Sequence, residues 1–307
     1  MTAIRLYQIV NNISTMAKSL SFMKIRPEEF ATYLDRYNDI VPDNLRELDE
    51  YRFVTVPNLL QKRRGEKGGA WLEREEVQKL VEWKLKHGTF RPSLAKLVAS
   101  NSEELVRTMT KAAFNDTDQS TPDMVKQLAK NLKGIGPATA ALLASCYDPD
   151  SIPFFSDELF RWIHWDGIHI DLHNKKTPLK KPGKGWSRQI GYTPKEWESM
   201  AVKCKRLQHR MAAAHRPVNC LDIEKVAYVL GKEDVDLGDE KEDTTEEDED
   251  GDNVDDEEEE HLQDAKGKPK RKMKPSRTTS SVGTKRKADS IESTELTTKR
   301  TRGNKSS

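Results

Sequence analysis

Residues 233–260 read EDVDLGDEKEDTTEEDEDGDNVDDEEEE, and this run sets the limit on what the chain can fold into. It has almost no apolar residue to bury, so nothing there offsets the conformational entropy lost on ordering. The segment that follows, KGKPKRKMKPSRTTSSVGTKRKADSIESTELTTKRTRGNKSS, is equally poor in large apolar residues. Glu233–Ser307 is therefore expected to be disordered, and the folded part is confined to the first 232 of 307 residues. That is enough for one large domain or two small lobes.

Charge divides the chain at the same place. Residues 1–232 hold 37 Lys and Arg against 28 Asp and Glu. Residues 233–264 hold one base against 20 acids, and residues 265–307 hold 14 bases against three acids. The formal net charge of +1 thus conceals a basic body, an acidic segment and a basic tail. A basic body points to nucleic acid as partner, and an acidic run can serve basic proteins such as histones. Within the tail, Lys268-Pro269-Lys270-Arg271-Lys272 and Lys285-Arg286-Lys287 match nuclear-import signals, read by an import receptor, and Lys299-Arg300-Thr301-Arg302 adds a further basic cluster. The expected location is the nucleus. No apolar run approaches membrane-spanning length, and no membrane partner is expected. Cys146, Cys204 and Cys220 stand far apart without a CxxC pair, which predicts buried thiols rather than a disulfide framework or a zinc site.

The first 232 residues read as all-α. Arg26-Pro27-Glu28-Glu29 opens a helix with Phe30, Tyr33, Leu34 and Tyr37 at helical spacing. Trp71–His87 places Val77, Leu80, Val81, Lys84 and Leu85 on neighbouring turns and stops at Gly88. Asn101–Phe114 is a shorter amphipathic helix. Thr121-Pro122-Asp123 reads as a start, with Thr121 as cap and Pro122 at the first helical position. Thr193-Pro194-Lys195-Glu196 is a capping box opening a helix to about His215, and Leu221–Leu230 closes at Gly231. Strand signals are scarce: YRFVTVPNLL (51–60) has β-branched residues but is broken by Pro57. Phe154–Trp186 reads as irregular.

The most specific stretch is Leu132-Lys133-Gly134-Ile135-Gly136-Pro137-Ala138-Thr139-Ala140. Gly134 can take the left-handed conformation that ends a helix, and Pro137 suits the first turn of the next. A tight turn between two helices follows, with Ile135 directed into their shared core. Its backbone N–H groups, beside a helix N-terminus, suit an anion such as a DNA phosphate. Ordinary capping is the plainer explanation of the same residues.

This stretch resembles the helix-hairpin-helix of the DNA glycosylase superfamily, whose usual form is L-P-G-[VI]-G-x-x-T-A. The whole chain, with its basic loop and charged tail, is similar to the Amun family of nuclear DNA-glycosylase-like proteins. The resemblance implies a two-lobed helical domain with its hairpin at 121–146, and duplex DNA binding through Lys133, Gly134, Ile135, Gly136, Pro137 and Thr139. It implies a catalytic Asp some twenty residues beyond the second glycine, in Phe155-Ser156-Asp157-Glu158-Leu159-Phe160-Arg161. Counted without a gap that position is Ser156; a one-residue loop difference makes it Asp157. Bifunctional members carry a lysine nucleophile two residues after the second glycine, where this chain has Ala138. The implied activity is a monofunctional N-glycosylase of base-excision repair with no cofactor, or a non-catalytic descendant. Asp157 reads equally as an acid in the first turn of a helix capped by Ser156.

Three further groups carry alternatives. The loop Asn174–Tyr192 holds six Lys and Arg, Lys180, Lys181 and Lys184 among them, with Trp186 interleaved. It suits phosphate contact plus stacking on an exposed base, or a solvated excursion whose Trp packs back on the core. Lys62-Arg63-Arg64 offers a second basic patch with the same two readings. His164, His169 and His173 with Asp166 and Asp171 invite a metal, but Gly167 and the β-branched alternation argue against the helix that would align them; no metal is expected. Trp71, Trp83, Trp162, Trp165 and Trp197 sit mostly at core spacing.

Overall fold

The segment PATAALLASCY is apolar all round, and a helix of that kind has to be enclosed. A computed structural model describes residues 20–238 and places this segment at the centre. In helix α9 (Pro137–Tyr147) every residue from Ala138 to Cys146 is buried. Four helices surround it: α4 (Val56–Gly65), α5 (Arg74–His87), α8 (Thr121–Asn131) and α11 (Pro194–Ala213). Leu142 and Leu143 are fully buried, and each such side chain contributes about 1.5–3 kcal/mol. The remaining helices are α1 (Pro27–Asp35), α2 (Tyr37–Ile40), α3 (Asp43–Glu50), α6 (Pro92–Ala99), α7 (Glu103–Asn115), α10 (Asp157–Ile163) and α12 (Cys220–Lys232). The one sheet among the described residues is a pair of three-residue strands, β1 (Ile168–Ile170) antiparallel to β2 (Lys176–Pro178), with Ile168 opposite Pro178. The architecture is mostly helical. Among the described residues nearly all the buried apolar side chains, from Leu20 to Leu237, belong to one cluster.

Helix starts follow side-chain chemistry. The Thr193–Glu196 capping box is formed as expected, and α11 runs from it. Elsewhere the expectation moves. Ser120, not Thr121, caps α8: its Oγ accepts from Asp123 N–H, and Pro122 falls in the second position. α5 begins at Arg74 rather than Trp71, because Glu73 and Glu76 form their own capping box. α12 starts after the Asn219 cap and runs through Gly231, where a Cβ would lie 2.7 Å from Glu158 Cγ, so this glycine serves close packing rather than a helix end.

Two segments differ more. YRFVTVPNLL is helical throughout: a π-turn (Tyr51–Thr55) leads straight into α4, and Val56 N–H donates to Tyr51 O, five residues back. The wider turn absorbs Pro57, which has no N–H to give. It also sends Arg52 into the core, where its Nη2 donates to Glu224 Oε2 and Ser145 Oγ, both at 2.9 Å. The region 154–186 is ordered by α10, the β1–β2 hairpin and a 3₁₀ turn at Gly185–Ser187.

The packed body also extends past residue 232. Leu237 is fully buried, Trp186 Nε1 donates to Val235 O at 2.8 Å, and Trp165 Nε1 donates to Gly238 O at 2.7 Å. Two apolar residues inside the acidic run, Val235 and Leu237, are enough to hold its first residues down. The acidic segment beyond them and the import signals (Lys270, Arg271, Lys272, Lys285, Arg286, Lys287) lie outside the described residues.

Candidate functional site

The turn between α8 and α9 is built by three devices. Gly134 sits at φ 75°, and a Cβ there would lie 3.0 Å from both Leu97 Cβ and Val98 Cγ2 of α6. The Asn101 side chain grips the neighbouring peptide, donating from Nδ2 to Lys133 O and accepting from Lys133 N–H, each at 2.9 Å. Ile135 is buried and anchors the turn from inside. Gly136 is different. Its φ of −86° and ψ of −179° are open to any residue, and a Cβ there would meet nothing within 4 Å. Its carbonyl accepts the Thr139 and Ala140 N–H groups that start α9. The N–H groups of Gly134, Gly136 and Ala138 have no hydrogen-bond partner among the described residues.

Of the turn residues expected to meet a ligand, Lys133 and Gly136 are exposed and Pro137 is half-buried, whereas Ile135 and Thr139 are buried and have no side chain to offer. Lys180, Lys181 and Lys184 are exposed on the long loop. That loop is not anchored at the turn. Arg161 Nε donates to Arg188 O, and the Trp186 N–H is taken by Val235, so the loop packs on α10 and on the end of the body. Trp186 is half-buried and not a free stacking platform.

What the loop does deliver is Tyr192. Its hydroxyl donates to Asp157 Oδ1 at 2.6 Å, with the residue held at φ 53°. A left-handed conformation costs a bulky residue about 1–2 kcal/mol, which the surrounding contacts have to offset. Burial and the Asp157 carboxylate both push the Tyr192 phenol well above its ordinary range, so it remains a donor. Asp157 Oδ2 faces Thr89 Oγ1 at 3.5 Å and Arg161 Nη2 at 3.7 Å. Ser156 is buried, and its Oγ accepts from Leu159 N–H at 3.1 Å as the cap of α10. Both residues border the same open space, where Asp157 presents the carboxylate.

That space is a cleft whose lining includes Lys84 and His87 of α5, Thr89 and Arg91 of the α5–α6 connection, Ser156, Asp157 and Tyr192. Its free interior is about 20 Å³, room for about one water molecule. Arg91 lies over the Tyr192 ring, 5.1 Å from its centre. His87 is stacked between Trp83 and Tyr228, and burial first, then Lys232, Arg52 and Lys84, holds it neutral. Burial, with Arg91 beside it, lowers the Lys84 ammonium below its ordinary range, and Asp157 opposes this. The cleft therefore gathers a carboxylate, a phenol and two cationic side chains that sequence reading did not assemble. Only Lys84, a lysine in the apolar stripe of α5, and Tyr192, just before a capping box, carried a local signal.

The other candidate groups are separate. His164 is buried with Nε2 on Ser199 Oγ, and His169 Nε2 meets Lys195 O. Among the described residues no cluster of three His, Cys, Asp or Glu could hold a metal ion. Arg63 forms a two-pronged pair with Glu76, and Arg64 lies over Tyr147, so that basic patch is largely engaged internally. Cys146, Cys204 and Cys220 are buried free thiols. Trp83, Trp162 and Trp197 are core residues with bonded N–H groups. No family model, curated protein or solved structure matches the chain.

Proposed function

We propose that this chain is a nuclear protein that binds duplex DNA, with the turn between α8 and α9 acting as a helix-hairpin-helix, and that the Asp157 cleft belongs to a DNA-glycosylase-like site of base-excision repair. The observation that carries the reading is Gly136. Neither its backbone angles nor its neighbours require glycine, and Ser, Asp or Asn would cap α9 better by a few tenths of a kcal/mol. A residue without a side chain is useful there if another molecule must approach the peptide closely. The unpartnered N–H groups of Gly134, Gly136 and Ala138 and the exposed Lys133 suit a phosphate, and such contact carries no base information.

In the cleft, Asp157 is the carboxylate placed to stabilise positive charge on a deoxyribose and to orient water. With Ala138 at the position of the family's lysine, chemistry from the hairpin itself stops at base release. The cleft interior is smaller than a nucleobase, so a flipped base enters only when Tyr192 swings away from Asp157.

The test is binding of the full chain to an undamaged duplex and to one holding a stable abasic-site analogue, across a salt series. Tighter binding to the abasic duplex, weakening steeply with salt, supports the reading. Absence of salt-dependent binding to either duplex overturns it.

A further inference from the structure

We propose that the start of the acidic run, residues 239–243, docks on the basic loop 174–192 of the same chain and occupies the lysines that a nucleic-acid phosphate would otherwise meet there. The docking stands apart from the DNA reading above; the competition rests on it.

The surface is basic and unpaired. Loop 174–192 holds six Lys and Arg and no acid. Lys175, Lys176, Lys180, Lys181 and Lys184 are all exposed, and none is in an ion pair among the described residues. Asp166 and Asp171, just before the loop, are already taken. Asp166 receives Lys203 Nζ at 2.9 Å on both carboxylate oxygens, and Asp171 Oδ1 accepts the His173 and Lys175 N–H groups. Arg188 is buried with its Nε unbonded, and its one side-chain hydrogen bond runs from Nη2 to Trp165 O at 3.3 Å. A guanidinium enclosed without a carboxylate leaves charge for an acid to match.

The fold delivers the occupant to that surface. Two indole N–H groups hold the first residues of the acidic run, Trp186 on Val235 O and Trp165 on Gly238 O, and Leu237 is fully buried. Gly185, at φ 52°, keeps the loop against Trp165, where a Cβ would lie 2.8 Å from the indole ring. Lys184, Arg188, Asp236 and Gly238 consequently line one cleft of about 380 Å³. Gly238 is the last described residue, and Asp239, Glu240, Glu242 and Asp243 follow it, with Lys241 the one base among them. Five extended residues reach at most about 18 Å from that edge. Exposed ion pairs are weak singly, but so short a tether gives the acids a high effective concentration at the loop. A run kept only for solvation needs no anchoring there.

In the full chain, carbodiimide coupling read by mass spectrometry should join Lys180, Lys181 or Lys184 to a carboxylate of residues 239–243, as it joins Lys126 to Glu198 at 2.9 Å. Recovery of the 126–198 link with none to the loop overturns the docking. Anisotropy with an undamaged labelled duplex reads the competition. Neutralising the segment (Asp239→Asn, Glu240→Gln, Glu242→Gln and Asp243→Asn together) should tighten binding about fivefold at about 0.15 M salt and by nothing measurable at about 1 M. The same charge change further along (Glu257→Gln, Glu258→Gln, Glu259→Gln and Glu260→Gln together) should give less than about twofold, because the Debye length at about 0.15 M is about 8 Å. Equal gains from the two sets reduce the effect to overall charge and overturn the competition. Lys180→Gln, Lys181→Gln and Lys184→Gln together should remove both the cross-links and the difference between the sets; a difference that persists overturns the inference. If no variant binds a duplex, the DNA reading falls, and the cross-links alone decide the docking.

Discussion

Replacing Gly136 by alanine separates a glycine kept for the fold from one kept for a ligand. At the N-cap, alanine ranks below glycine by about 0.5–1 kcal/mol, and the lost freedom of the unfolded chain returns about 0.4–1 kcal/mol. With no atom within 4 Å of the new methyl, nothing else enters, so stability should stay within about 0.5 kcal/mol of wild type. The methyl does stand between the peptide and an approaching phosphate. Losing one hydrogen bond to a charged group costs about 1.5–3 kcal/mol, or about 10- to 150-fold in affinity. A peptide N–H releases no counterion, so the slope of log K against log salt should hold in Gly136→Ala, whereas Lys133→Ala should flatten it by about 0.9. Urea denaturation and fluorescence anisotropy with a labelled duplex measure both quantities. Gly134→Ala is the contrast: a forced φ of 75° and a clash with Leu97 and Val98 should destabilise the fold by about 1–2 kcal/mol or more. Wild-type affinity in Gly136→Ala, or a stability loss above about 1 kcal/mol, would refute the reasoning.

Ser156→Ala should cost about 1 kcal/mol in urea denaturation by removing the α10 cap, with duplex binding unchanged. Asp157→Asn keeps the shape and a Tyr192 acceptor, and should abolish base release from a substrate duplex while sparing binding; retained release removes Asp157 from the mechanism. Glu224 is fully enclosed, and burial pushes its carboxyl from the ordinary 4.5 up to about 7 against the pull of Arg52. A folded pKa raised this way means stability is full below about 4.5 and is lost as pH rises through 7, by up to about 3 kcal/mol. His87 and His164, held neutral, act oppositely below their ordinary 6.5, so the wild type should be compared with Glu224→Gln at each pH; an unchanged difference between pH 5 and 8 rules the effect out. Arg52→Met strands that carboxylate and should cost about 3–5 kcal/mol at pH 8, and appreciably less at pH 5, where Glu224 is protonated.

Where neighbouring residues supply the whole cause, the sequence was readable. The Thr193–Glu196 capping box depends on residues three positions apart and is formed; the left-handed Gly134 and the inward Ile135 were signalled locally too, although Asn101 and α6 also hold that turn. Residues 51–60 were not readable, because β-branched side chains and Pro57 argue locally against a helix. Burial of Val56 and Leu60, with α4 against α9, reverses that preference. The edge of the acidic run was likewise invisible, since Val235 and Leu237 are held by Trp165, Trp186 and the core, all distant in sequence.

By itself the sequence determined a mostly helical body, a glycine-bearing turn between two helices, and a sharp partition of charge. Composition and short-range periodicity set these, and no distant contact is needed to produce them. Tertiary structure alone decided that Asp157 stands in a cleft with Lys84 and that Tyr192 is bonded to it. Those side chains come from α5, α10 and the loop before α11, and only packing against a common core brings them within reach of one another.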